Sequence, residues 1–308
     1  MESQLSVAVV FPGQGSQQAG AGLPWVDHPA WAAVGAAGAA TGVDLAHLLV
    51  DAPAEDLRRT RDAQLSVLAA SLVAWDAVAP TLTGDVVGFA GHSLGQITAL
   101  IAAGAVERDA GLRLAVARAD ATQAANDANP GRMAAFLGAT EDQAQAACDA
   151  APDACWLANL NAPGQVVIAG TADGVERATE AAPDAGVRRV RALEVGGAFH
   201  TPLMAPAAEQ LGPTLDATPF TASEQPVVTN HDARPHADGS GWPDMLRTHL
   251  TEPVRWADCV TALVELGATT FVEVGPGTTL SGLIRRIAPD AEVRSVQTPA
   301  DLPLEVVS

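Results

Sequence analysis

Five residues, Gly91-His92-Ser93-Leu94-Gly95, constrain this chain more than any other stretch. They fit G-x-S-x-G, the pattern of a nucleophile elbow, in which a serine sits on a sharp turn between a strand and a helix. The flanks agree with that placement. Residues 85–90 (DVVGFA) read as a short buried strand, and residues 96–106 (QITALIAAGAV) as an apolar, alanine-rich helix. A turn this tight strains the serine backbone, and the two glycines leave room for the bend and for a substrate. The N–H of Leu94, opening the helix, can face a developing oxyanion. The bare pattern also arises by chance in glycine-rich chains, so it is the strand and helix around it that make Ser93 a candidate nucleophile.

Strands alternate with helical segments on both sides of the elbow. Residues 6–11 (SVAVVF) form a strand that delivers into the Gly-rich turn 12–17 (PGQGSQ), which can present backbone donors but lacks the lysine and spacing of a phosphate loop. Helical segments follow at 31–42, 44–50, 53–58, 65–78 and, after the elbow, 109–125. Asn129-Pro130-Gly131 then breaks the chain, and the texture changes. Strand 133–138, helix 140–151 with a Thr140/Gln143 capping box, strands 156–161 and 165–170, helix 172–182 and strand 188–195 give the order βαββαβ. That order is a split βαβ, or ferredoxin-like, unit. The main unit resumes with loop 196–204 leading into a helix, strand 226–230, a polar loop over 231–243, helix 256–266, strand 270–274 and helix 280–287; the end frays from 298. The expected class is α/β. A mostly parallel, covered sheet is built from 1–128 plus 196–308, with a ferredoxin-like subdomain inserted at 129–195.

Composition limits the partners. With 36 acidic residues against 17 basic ones, all arginine, the net charge is -19, which argues against a nucleic-acid binder or an anionic membrane surface. The three cysteines, Cys148, Cys155 and Cys259, show no paired spacing and read as reduced thiols of a cytoplasmic protein. Residues 1–4 (MESQ) do not resemble a signal peptide, and no run is expected to reach the roughly 18 apolar residues of a membrane helix. No HExxH or CxxC spacing points to a metal.

A nucleophilic serine needs a base, and seven histidines are available. His92 adjoins Ser93, but neighbours in a tight elbow point apart. His231 and His236 lie in the polar loop and are expected to be solvated. His200 lies in Gly196-Gly197-Ala198-Phe199-His200, where the chain re-enters the main unit, in glycine-rich apolar company. It also follows the serine in chain order, as in hydrolase-type sites. A structural loop histidine is the plain alternative; the elbow upstream favours the base.

Six stretches occur in order: FPGQGSQ (11–17), GHSLGQ (91–96), NAPGQVVIAG (161–170), GAFHTPLM (197–204), EPVRW (252–256) and EVGPG (273–277). Together they closely resemble the malonyl-CoA:acyl carrier protein transacylases. The resemblance implies an α/β-hydrolase-like core carrying the ferredoxin-like insertion. It implies that Ser93 takes a malonyl group from malonyl-CoA with His200 as base. The serine then passes the group to the phosphopantetheine thiol of acyl carrier protein, in fatty-acid synthesis, by a ping-pong route with no further cofactor. Backbone N–H groups of Gln14 and Leu94 become the oxyanion donors. Arg118 becomes the clamp for the free malonyl carboxylate, a task that suits a guanidinium. Gln64 matches a glutamine near the pocket, and the carbonyl of His249 orients the base. Phe199, before the base, is expected to crowd the acyl α-carbon and favour malonyl over methylmalonyl. The sequence departs from the family at Gln96 (Glu is frequent), at Ala119 (Gly is frequent) and at His249 (Gln or Asn is usual), where an extra imidazole can shift the pH profile. Arg188, Arg189 and Arg191, or Arg285 and Arg286, are candidates for docking the carrier, and the protein is expected to be a monomer. Three alternatives share much of this pattern: a stand-alone acyltransferase of a polyketide synthase, a serine acyl-thioester hydrolase, and a non-catalytic carrier-binding scaffold.

Overall fold

Alternation along the first strand sets the layers. In a computed structural model describing residues 6–82 and 84–302, strand β1 (Ser6–Phe11) is buried at five of its six positions. Residues 1–4, read above for a signal peptide, and 303–308 lie outside the described residues; the stretch from 298, expected to fray, instead carries a one-turn helix, Pro299–Asp301, capped by Thr298. Successive side chains of a strand point to opposite faces. Accordingly Val7, Val9 and Phe11 join one core cluster while Ala8 and Val10 join another on the far side of the sheet. Helices α1 (Ala32–Thr41), α2 (Leu45–Val50) and α3 (Thr60–Val78) follow, then strand β2 (Asp85–Gly91), the elbow, and helices α4 (Gly95–Ala102) and α5 (Arg108–Ala128). Helix α3 starts five residues before the sequence reading placed it, because its polar first turn is tied to α5 by Arg61–Asp120 (2.6 Å). It also corrects the membrane expectation. Thr60–Thr81 has the length and apolar composition to cross a bilayer, yet 78% of an 18-residue apolar window within it is buried inside the protein, as for a core helix.

After the break at 129–131 come β3 (Arg132–Leu137), α6 (Glu141–Cys148), β4 (Cys155–Ala162), β5 (Gln165–Gly170), α7 (Ala172–Ala181) and β6 (Arg189–Ala192). The expected capping box opens α6. These strands form their own antiparallel sheet in the order β4-β5-β3-β6. One face, with Ala134 and Phe136, packs under α6 and α7; the other, with Met133, Ala135 and Val167, looks toward the main unit.

The chain returns through α8 (Ala205–Ala217), β7 (Val227–Val228), β8 (Pro235–His236), α9 (Trp242–His249), α10 (Trp256–Glu265), β9 (Thr270–Val274), α11 (Thr279–Ile287) and β10 (Glu292–Val296). The large sheet runs β10-β9-β1-β2-β7-β8, parallel except for the β7–β8 pair. Three of these elements were not visible in the sequence. Helix α9 begins inside the expected loop, because Pro243 occupies the first helical turn, where a missing N–H costs nothing. Strand β8 is a two-residue pairing. Strand β10 carries Glu292 and Arg294, tolerated because it is an edge strand and only half-buried. The result is a mixed α/β fold with a parallel-rich sheet, and the carboxyl ends of β1 and β2 open toward the small sheet.

Candidate active site

The elbow is built by close backbone approach. A Cβ on Gly91 would lie 1.9 Å from the Gly95 carbonyl, and one on Gly95 would lie 2.2 Å from the Phe11 carbonyl oxygen. Neither position admits a side chain. Ser93 itself has φ +54°, the left-handed region that costs a non-glycine residue about 1–2 kcal/mol. The conformation is held from outside the motif: the Ser93 N–H donates to Asn230 Oδ1 (2.7 Å), and the Asn230 N–H donates to Gln96 Oε1 (2.7 Å). Ser93's own N–H is thereby spent. The N–H groups of Leu94 and Gln14, by contrast, donate no hydrogen bond among the described residues. Both are therefore free to donate to an oxyanion.

His200 sits where the sequence reading expected the base. Its Nε2 lies 2.7 Å from Ser93 Oγ, and its Nδ1 lies 2.8 Å from the carbonyl oxygen of His249. A carbonyl only accepts, so the Nδ1 position carries the proton and Nε2 is left bare to receive the serine's. Burial, reinforced by the nearby Arg118 charge, lowers the His200 pKa to about 3, so the ring is neutral at ordinary pH, with a free lone pair on Nε2. The His249 ring adds something the carbonyl role did not require. It stacks on His200 with centroids 4.8 Å apart and planes 29° apart, is itself buried, and is held neutral by that burial.

The other histidines separate from the site. His92 Nε2 pairs with Asn161 Oδ1 (2.9 Å), away from the serine hydroxyl. His231 and His236 are not simply solvated, as expected. Each is partly buried and paired with an acid, His231 with Glu252 (2.7 Å) and His236 with Asp232 (3.1 Å). No carboxylate orients His200, since the group behind its Nδ1 is a main-chain carbonyl.

Arg118 closes the inner end of the cleft. It is 5% exposed, and burial lowers its pKa to about 10, which leaves it charged. Its Nη1 donates to Gln64 Oε1 (2.6 Å) and its Nη2 to Ser93 Oγ (3.0 Å). Gln64 is held in turn by Thr122 Oγ1 (3.0 Å) and Gln14 Oε1 (3.3 Å). Among the described residues no acidic side chain comes within 4.0 Å of the Arg118 guanidinium. A buried cation left without an acid is costly unless something anionic arrives to pair with it. The cleft of about 450 Å³ runs from Ser93, His200 and Arg118 past Phe199 and out along Met133 and Val167 of the small sheet.

Asn230 and Gln96 are the functional neighbours that sequence reasoning missed in role. Gln96 was noted only as a departure, and Asn230 stood at the end of an expected strand with nothing local to mark it. Gln96 carries its load through one atom: Oε1 takes the Asn230 N–H, while Nε2 is buried without a partner among the described residues. Cys259 backs the same asparagine, with its Sγ donating to the Thr229 carbonyl (3.1 Å).

A strained serine at the carboxyl end of a parallel sheet, a bare imidazole nitrogen on its hydroxyl and two unspent backbone N–H groups define a serine-type acyl-transfer site. The comparisons with known proteins narrow that class. An acyl transferase domain model matches residues 8–298. The chain is 35% identical over 306 residues to the malonyl CoA-acyl carrier protein transacylase of Bacillus subtilis, covering 97% of this chain and 96% of that protein. Its fold matches the crystal structure of the malonyl-CoA:acyl carrier protein transacylase from Xanthomonas oryzae with a TM-score of 0.90 and 40% identity, covering 96% of this chain and 95% of that one. It matches equally, at TM-score 0.90 and 33% identity over 96% of this chain and 97% of the other, a malonyl-transacylase solved in complex with a type II polyketide synthase acyl-carrier protein. The chain belongs to the malonyl-CoA:acyl carrier protein transacylase family.

Proposed function

We propose that this protein transfers malonyl from malonyl-CoA to the phosphopantetheine thiol of an acyl carrier protein through a malonyl ester on Ser93. His200 Nε2 takes the hydroxyl proton as Oγ attacks the thioester carbonyl. The oxyanion is met by the N–H groups of Leu94 and Gln14. Collapse breaks the C–S bond, and His200 returns the proton to the departing CoA thiolate. In the second half the carrier thiol gives its proton to His200, its sulfur attacks the ester, and Ser93 leaves with that proton. The observation that carries the reading is Arg118, a buried, charged guanidinium beside the nucleophile with no acid of its own. Malonyl brings the missing carboxylate. Its arrival also offsets the positive charge that helps hold the His200 pKa down, making proton uptake easier once the correct acyl group is bound.

The remaining parts of the reading follow from the same site. Phe199 lines the cleft and favours malonyl over a branched acyl group. No metal or cofactor is needed beyond the two substrates. The large sheet is read as a hydrolase-like core, and 129–195 as a ferredoxin-like insertion; the strand order β4-β5-β3-β6 supports the latter. The enzyme is taken to be a cytoplasmic monomer of fatty-acid synthesis that binds neither nucleic acid nor membrane. A polyketide role is the second reading, and the fold match to a transacylase bound to a polyketide carrier favours it. Intact-protein mass spectrometry after mixing with malonyl-CoA tests the proposal. One malonyl adduct, absent in Ser93→Ala and discharged only when carrier protein is added, is the expected result. Discharge into water would make the protein a hydrolase, and no adduct would make it a binding scaffold.

A further inference from the structure

Two arginines line the cleft: Arg118 at its inner end and Arg58 on its exposed rim. In this chain acids outnumber cations 36 to 17, and the arginines beside Arg58 are paired with them. Arg59 faces Asp62 (3.6 Å), and Arg61 faces Asp120 (2.6 Å) and Asp62 (3.5 Å). The Arg58 guanidinium makes no ion pair with any described residue. Its turn is nevertheless firmly placed. Leu57 is buried, its carbonyl accepts from Gln17 Nε2 (3.3 Å), and Gln17 Oε1 accepts the Gly15 N–H (2.7 Å). The rim cation is therefore tied to the same loop that carries Gln14.

We propose that Arg58 anchors the phosphate at the far end of the pantetheine arm, the group that CoA and a phosphopantetheinylated carrier protein share. This rests on the malonyl-transfer reading. The arm is neutral along its length and carries anionic charge at both ends once malonyl is attached, the carboxylate at one and the phosphate at the other. A cleft with one unpaired guanidinium inside and another at the rim matches that distribution. A guanidinium also presents paired N–H donors in the plane a phosphate accepts. The net charge of -19 repels a polyanion such as CoA, so a local cation at the entrance counts for more here than on a neutral protein.

The test compares Arg58→Ala, Arg58→Glu and Arg58→Lys with wild type, using malonyl-CoA, malonyl-dephospho-CoA and malonyl-pantetheine as donors and holo-carrier protein or free pantetheine as acceptors. For the alanine variant KM should rise about fivefold for malonyl-CoA, as for one exposed charge contact. The glutamate variant should lose more, and lysine should recover part. The penalty should persist with malonyl-dephospho-CoA and be confined to phosphate-bearing substrates. A rise with donors alone assigns the anchor to CoA; a rise with holo-carrier alone assigns it to the carrier; either supports the anchor. An equal penalty with malonyl-pantetheine would make Arg58 a structural residue. A penalty that disappears with malonyl-dephospho-CoA would move the contact to the 3′-phosphate. No change with any substrate would remove the anchor. Each of these three overturns the proposal. Should wild type form no malonyl ester at all, the functional reading fails, and the variants are not needed to see it.

Discussion

On the proposed malonyl-transfer reading, Arg118 decides substrate at the scale of one residue: malonyl and acetyl differ by a carboxylate, and the buried guanidinium is the group proposed to distinguish them. Removing one member of a buried pair typically costs about 3–5 kcal/mol. At about 1.4 kcal/mol per factor of ten, Arg118→Ala should lose roughly two to three decades in malonyl turnover. Acetyl should be accepted better than by wild type, since the cation that opposes a neutral group is gone. Arg118→Lys should recover only part, because an ammonium lacks the planar pair of donors. The check is the malonyl/acetyl ratio of kcat/KM in all three proteins; a ratio constant within a factor of a few would strip Arg118 of this role. Ser93 and His200 were singled out from local sequence, and the structure brings them within 2.7 Å of each other; Gln14, like Leu94, entered as an oxyanion donor only through the family resemblance. The arginine was legible only through family resemblance, since nothing around it in sequence marks it as buried. Asn230 was not legible at all. Its partner lies 137 residues away, and a contact made across the sheet leaves no trace in local spacing.

At the scale of elements, the turn between β2 and α4 stores the strain. Ser93 at φ +54° has a conformation that glycine adopts freely. Two inactive variants can isolate that cost. In most settings glycine destabilises a chain relative to alanine, through the entropy of the unfolded state. Here the order should invert, with Ser93→Gly more stable than Ser93→Ala by about 1 kcal/mol, measured as the difference in denaturant midpoints. Alanine equal to or better than glycine would mean the turn is relaxed. The strand–turn–helix itself was plain in the sequence, since β-branched and alanine-rich runs differ in period. The missed elements failed for identifiable reasons. The start of α9 was read into a polar loop ending at Pro243, where the proline is a helix starter, and in β10 charged residues disguised an edge strand.

For the whole molecule, three imidazoles, two of them buried and His92 partly so, couple the fold to pH. Burial is the largest cause lowering the pKa of His92, His200 and His249 below 6.5. Above pH 6.5 both folded and unfolded chains hold these rings neutral, and stability is unaffected. As pH falls below 6.5 the unfolded chain takes up protons that the native state refuses, so stability declines toward the folded pKa values, about 3 for His200. Between pH 7 and 5, above the range where most carboxylates titrate, the melting temperature should fall. The slope of unfolding free energy should become shallower in His249→Gln, by up to about 1.4 kcal/mol per pH unit for one group. Identical slopes for the two proteins would show that His249 already titrates normally.

The small sheet has a consequence for how such a molecule can change over time. Ser93, His200, Arg118, Gln14 and Leu94 all lie outside residues 132–192, whereas Met133, Ala135 and Val167 of that segment line the outer cleft. One wall of the entrance is thus written in a separate stretch of the gene from the proposed reacting groups, while the rim with Arg58 belongs to the main unit. Mutations that reshape the entrance for a different carrier can accumulate in the insertion while the reacting groups stay fixed. A lineage can therefore change its clients without passing through an inactive ancestor.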